Sequence, residues 1–141
     1  MKFTCSIKIE KPIDKVVQLF DNPDNMKEWQ DGFVRLDHVS GNAGQVGAKS
    51  NLIYKNMELL ETILIKESTR MKGLYEHKHM VNTMDNRFSS LGESKTRWDV
   101  EIDYTKFNGI IPKLMSLLMP SLFRKQVEKW LFKFKKFAEK S

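Results

Sequence analysis

IIPKLMSLLMPSLFRKQVEKWLFKFKKFAE, residues 110–139, is the stretch on which the fold turns. Phe123, Val127, Trp130, Phe134 and Phe137 recur at steps of four, three, four and three, and Leu131 and Ala138 widen the stripe. At helical pitch these seven side chains fall within an arc of roughly 120°, the width of a core-facing helix surface. Read as one helix, the stretch is about 45 Å long. Pro112 fits a first turn, whereas Pro120 removes a hydrogen bond and crowds the turn before it. The pattern therefore predicts a short segment near 110–119, a kink, and a longer helix near 121–139. Such a stripe cannot be buried alone, so the preceding residues must supply an apolar surface beneath it.

That surface is a sheet. Residues 2–10 alternate strictly, with Phe3, Cys5, Ile7 and Ile9 on one side, as in a half-buried strand. Pro12 then opens a short helix carrying Ile13, Val16, Val17 and Phe20 at helical spacing. Asn22-Pro23-Asp24 starts a second one that runs to about Trp29 and ends at Asp31-Gly32. Strands follow at 34–40, 48–55, 58–67, 70–77, 80–91 and 94–106, joined by short links that suit antiparallel hairpins. In the last strand Trp98, Val100, Ile102 and Tyr104 share one face while Arg97, Asp99, Glu101 and Asp103 share the other. One face is wet and one is covered. The order of strand, two short helices, about six strands and a long helix gives an α+β class.

Composition narrows the setting. The 141 residues are 40% hydrophobic and 30% charged, which fits one domain over 1–141 and leaves no long disordered tract. Cys5 is the single cysteine, so an intramolecular disulfide and multi-cysteine zinc sites are excluded. A reduced, cytoplasmic setting is the expectation; the N-terminus lacks the apolar core of a secretory signal, and no apolar run reaches the ~20 residues that span a bilayer. The net charge of +6 belongs to one element: residues 113–140 hold eight Lys and Arg against Glu128 and Glu139.

Three segments resemble the START-like superfamily, whose helix-grip fold is shared by polyketide cyclases, lipid-transfer domains and the birch-pollen allergen family. They are IKIEKPIDKVVQLFDNPDNMKEW, NRFSSLGESKTRWDVEIDY and PSLFRKQVEKWLFKFKKFAEK, the last similar to the final helix of small bacterial SRPBCC-type members. The resemblance spans the chain and implies a curved antiparallel sheet of about six to seven strands wrapped on the C-terminal helix. It also implies an apolar cavity between them. The lining residues would be Leu52, Tyr54, Ile63, Tyr75, Asn82, Met84, Asn86, Phe88, Trp98, Val100, Leu118, Phe123, Val127 and Trp130. The alternative is that these side chains pack solidly, as protein interiors normally do. None of the three segments is a catalytic motif, and a shared fold does not choose among functions.

Glu61 is the polar residue that stands out. It alternates with Leu59 and Ile63 and so shares their face, where a desolvated carboxyl would have the raised pKa of a general acid or base. A one-residue slip in register would turn it outward instead. Asn82, Met84, Asn86 and Phe88 share a face, which brings two amides either to a ligand or to the outer surface. His77 and His79 either extend a strand face with Tyr75 or sit in a hairpin; with no third ligand at a recognisable spacing, no metal site and no cofactor is expected. His38 reads as a surface residue. Gly41, Gly44 and Gly47 lead into no helix and read as turn residues. No nucleic-acid recognition element is present.

The resemblance implies binding or transport of a small hydrophobic or lipid-like ligand. A cyclase or dehydratase using the same cavity, with Glu61 as acid–base group, is the enzymatic alternative. A third reading starts from Phe132, which projects among Lys125, Lys129, Lys133, Lys136 and Lys140 on the helix's outer side. It would contact a protein partner or an anionic membrane surface. Monomer and dimer are both compatible with the sequence.

Overall fold

The computed structural model describes residues 1–108 and 120–141. Strand β1 (Lys2–Ile9) is followed by helix α1 (Ile13–Asp21), a 3₁₀ turn (Pro23–Asn25) and helix α2 (Met26–Trp29). Six strands come next: β2 (Phe33–Ser40), β3 (Lys49–Tyr54), β4 (Glu58–Glu67), β5 (Arg70–Glu76), β6 (Met80–Gly92) and β7 (Lys95–Phe107). Helix α3 (Pro120–Lys140) closes the chain. The short segment expected over 110–119, with Leu118, lies outside the described residues, and so does what would decide a kink at Pro120.

All seven strands form one antiparallel sheet in the order β1-β7-β6-β5-β4-β3-β2. Register shifts at Ile63/Ile65, Val81/Asn82 and Ser90/Gly92 mark bulges, the device by which a sheet bends. Asn22 caps the second helical segment as its sequence predicts, with its Oδ1 accepting from the Asp24 N–H at 3.0 Å. The turn between β2 and β3 carries Gly41, where φ is +79° and an added Cβ would stand 2.9 Å from the Ala48 Cα.

The grip is packed solid at one end. Trp98 and Phe134 are fully buried, with ring centroids 5.1 Å apart. Phe20, Trp29 and Phe88 complete the cluster, Phe20 to Phe88 at 5.1 Å and Trp29 to Phe134 at 5.4 Å. Ile9, Val16, Val100, Leu131 and Ala138 fill the space around them. This core joins β1, β6, β7 and α1 to the C-terminal half of α3.

The basic side of α3 is partly structural. Arg124 donates to the Thr4 carbonyl at 2.9 Å and Lys135 to the Lys8 carbonyl at 2.7 Å, so α3 caps the outer edge of β1. Lys129 and Lys133 both pair with Asp31 in the loop after α2. Phe132 is 50% exposed, as its position on the helix predicts, and the Lys136 ammonium lies 4.8 Å from its ring centroid. No described helix is long and apolar enough to cross a membrane.

Candidate functional site

At its other end the grip is hollow. A cavity of about 700 Å³ lies between the middle of the sheet and the N-terminal half of α3. Phe123, Gln126, Val127 and Trp130 form its helical wall, and Phe20, Met26, Trp29 and Gln30 close one side. The change from solid to hollow occurs along α3 itself: Trp130 faces the cavity and Phe134, one turn on, faces the packed core.

The strand register arranges the cavity floor in rows. His38 pairs with Ser50, Ser50 with Glu61, Glu61 with Tyr75, Tyr75 with Asn82 and Asn82 with Tyr104. All six line the cavity, so one polar row crosses the sheet from β2 to β7. Neighbouring strands are about 4.8 Å apart, which sets the spacing of its members. An apolar row lies on each side. One is Leu36, Leu52 and Leu59; the other runs from Ile63 past Gly73 to Met84 and Ile102. The floor is therefore a polar stripe set in hydrocarbon.

Glu61 points inward, as alternation with Leu59 and Ile63 predicts. Burial pushes its carboxyl above the ordinary carboxylate range, and the Tyr75 phenol beside it offsets part of that rise. The Tyr75 phenol is pushed well up by burial and by the Glu61 charge beside it. Burial holds the Tyr104 phenol up at about 12. The Tyr75 ring lies flat over Gly73, where an added Cβ would stand 2.6 Å from the phenol oxygen. Only glycine lets the ring take that place.

Of the residues expected to line the cavity, Leu52, Ile63, Tyr75, Asn82, Met84, Asn86, Phe123, Val127 and Trp130 do so. Phe88, Trp98 and Val100 do not. They sit at the solid end, where α1 lays Phe20 across Phe88 and Trp98, α3 presses Phe134 onto Trp98, and Val100 is buried in the same cluster. Tyr54 stands behind the wall: it donates a hydrogen bond to Gln30 Oε1 and stacks on Trp130 at 6.2 Å. Asn86 touches the cavity but its amide is committed, accepting from Trp98 Nε1 at 3.1 Å and donating to the Met71 carbonyl at 3.2 Å. His77 and His79 occupy the β5–β6 turn, where the His79 N–H donates to His77 Nδ1 at 3.2 Å. Among the described residues no three His, Cys, Asp or Glu side chains cluster as a metal site. His38 is exposed as expected, but it also reaches the cavity rim, where its Nε2 lies 2.8 Å from the Gly41 carbonyl.

Trp29 and Ser50 were not foreseen in the wall. Ser50 was legible in principle, since it alternates with Leu52 and Tyr54; only the register of β3 on β4 shows that it flanks Glu61. Trp29 and Trp130 share a further property. Both indole N–H groups are buried with no acceptor among the described residues. Buried indoles usually find one.

A helix-grip sheet closed on a C-terminal helix, with a cavity between them, defines the START-like class of fold. No family model and no curated relative matches the sequence. Solved structures do match. A START superfamily protein from Mycobacterium smegmatis superimposes with a TM-score of 0.79 at 10% identity, over 99% of this chain and 97% of that one. The Zhui aromatase/cyclase from Streptomyces sp. R1128 gives 0.81 at 8% identity, over 99% and 93%. TTHA0849 from Thermus thermophilus gives 0.76 at 17% identity, over 98% and 97%. At such identities the likeness establishes the fold and leaves function to the site.

Proposed function

We propose that the protein binds a small, largely apolar molecule in the cavity between sheet and helix. The observation that carries this reading is the cavity itself, about 700 Å³ of space walled mainly by hydrocarbon and crossed by a polar row. That combination is the usual make-up of a small-ligand site: apolar burial supplies affinity and a few polar groups supply orientation. Each methylene removed from water contributes about 0.8 kcal/mol, so a ligand of eight or ten carbons has ample driving force before ordering costs. The unpaired indole N–H groups of Trp29 and Trp130 favour a ligand that also carries an oxygen acceptor.

Native mass spectrometry of the protein as purified tests the reading directly. The expected result is an added mass that leaves on collisional activation. A protein that carries no such mass, and that also fails to take up the neutral probe N-phenyl-1-naphthylamine, would overturn it.

A second reading rests on Glu61 and Tyr75. A carboxyl held above its ordinary range beside a phenol, inside a cavity, has what an acid–base dehydration or cyclisation needs. The molecules extracted from wild type and from Glu61→Gln distinguish the two readings. A wild-type ligand that differs from the variant's by loss of water supports catalysis; identical ligands support binding alone.

A further inference from the structure

The charges around the cavity say what kind of molecule it takes. Besides the tyrosines, five ionisable side chains among the described residues line it: Asp21, Asp31, His38, Glu61 and Lys66. Asp21 is paired with Lys66 at 2.9 Å. Asp31 is paired with Lys129 at 3.0 Å and with Lys133. His38 is spent on the Gly41 carbonyl at the exposed rim. Glu61 alone has no cationic partner among the described residues. The nearest lysine on its paired strand, Lys49, is on the opposite face of the sheet, where its ammonium donates to Thr62 Oγ1 at 3.0 Å. Among the described residues, the other acids of the wall, Asp21 and Asp31, are paired with the protein's own cations, and Glu61 is not.

Its surroundings suit a cation. The two side chains beside it in the polar row, Ser50 and Tyr75, both present hydroxyl oxygens. An ammonium has three N–H donors and needs three acceptors. Ser50, Glu61 and Tyr75 stand side by side across three strands, so each can offer an oxygen to such a group. Trp29, Tyr104, Phe123 and Trp130 stand elsewhere on the wall, and aromatic faces attract cations that have been stripped of water. A buried carboxylate that lacks a partner is costly, and a hydrogen-bonded cation of good geometry offsets most of that cost.

We propose that the ligand is a lipophilic amine: an apolar body lying along the hydrocarbon rows, with one ammonium group seated on Glu61 between Ser50 and Tyr75. The inference rests on the cavity being a binding site and adds the charge of what it binds.

Three probes with the same chain length separate the two. Decylamine, decan-1-ol and decanoate are titrated at pH 7.4 against the wild-type protein and Glu61→Gln, with tryptophan fluorescence as readout. In wild type, decylamine should bind at least about tenfold more tightly than decanol, the scale of one charge-assisted hydrogen bond, and decanoate should bind most weakly. Glu61→Gln should collapse the ratio of amine to alcohol towards one. Equal binding of amine and alcohol by wild type overturns the inference and leaves the cavity reading standing. A preference for amine that survives in Glu61→Gln also overturns it. Failure of all three probes to bind overturns both.

Discussion

Replacing Gly73 by alanine puts one methyl group under the Tyr75 ring. Built on the existing backbone, that methyl would stand 2.6 Å from Tyr75 Oη, 2.7 Å from Cζ and 2.8 Å from Cε2. Comfortable contact between such atoms begins near 3.5 Å, so the ring must withdraw by almost an ångström. Gly73 is not among the glycines with positive φ, so the backbone itself accepts alanine. The cost then depends on where the ring can go, and it has a cavity of about 700 Å³ beside it. Swinging off its rotamer costs about 0.5–1.5 kcal/mol, against a gain of about 0.4–1 kcal/mol from stiffening the unfolded chain. Gly73→Ala should therefore change the unfolding free energy by less than about 1 kcal/mol. Its effect on the site should be larger. As the phenol leaves Glu61, the carboxyl loses the polar neighbour that lowers its pKa and should titrate higher than in wild type. Urea unfolding measures the first quantity and carboxyl ¹³C NMR the second. Tyr75→Phe is the control, because it should raise the Glu61 titration without any clash. A loss of more than about 2 kcal/mol, the scale of an overpacked core, would refute the idea that the ring has room. An unchanged Glu61 titration would refute its contact with Tyr75.

Glu61 also leaves a signature in stability. Its folded-state pKa lies above its unfolded one, so the folded protein keeps a proton that the unfolded chain has released. Stability from this group falls as pH rises from the ordinary carboxylate range through the folded pKa. Glu61→Gln should thus be more stable than wild type at neutral pH, with the gap closing in acid; urea midpoints across a pH series would show it, and a pH-independent gap would contradict it. Asp31 has the opposite sign. Hydrogen bonds from Lys133 and Lys129 hold its carboxyl below the ordinary range, so its contribution is present above that range and is lost as pH falls. Because Asp31 is about a third exposed, Asp31→Asn should cost about 1 kcal/mol or less, and less still in high salt. Two phenylalanines on α3 should differ sharply in thermal unfolding: Phe134→Ala, at a fully buried ring, should cost about 3–5 kcal/mol, while Phe132→Ser should change stability by less than about 0.5 kcal/mol.

The scaffold was readable because its signals are local and periodic. The alternation in β1 and β7 and the stripe on α3 name the buried faces without any knowledge of what covers them. The same periodicity could not say where the covered space is filled. Trp98 and Tyr104 share one face of β7, yet Trp98 is fully buried in the aromatic cluster and Tyr104 borders the cavity. What separates them is the landing point of α1, a tertiary fact that places Phe20 over one end of the strand only. Glu61 could be singled out from its apolar neighbours on β4. Its two flanking hydroxyls could not, since Ser50 and Tyr75 become its neighbours only through the pairing of three strands.

The position of β1 has a consequence for how the chain acquires its shape. Its partner in the sheet is β7, with Ile9 opposite Thr96 and Lys2 opposite Asp103. These pairs are separated by 87 and 101 positions along the chain, from the numbers themselves. Closing so long a loop is entropically slow, and contacts of this kind form late in folding. The meander from β2 to β7 can assemble step by step during synthesis, while β1 waits for the last strand and α3 follows every strand. A molecule present while the protein is being made therefore meets an open, half-built sheet before it meets a walled cavity. Closing the cavity and completing the fold are therefore one event.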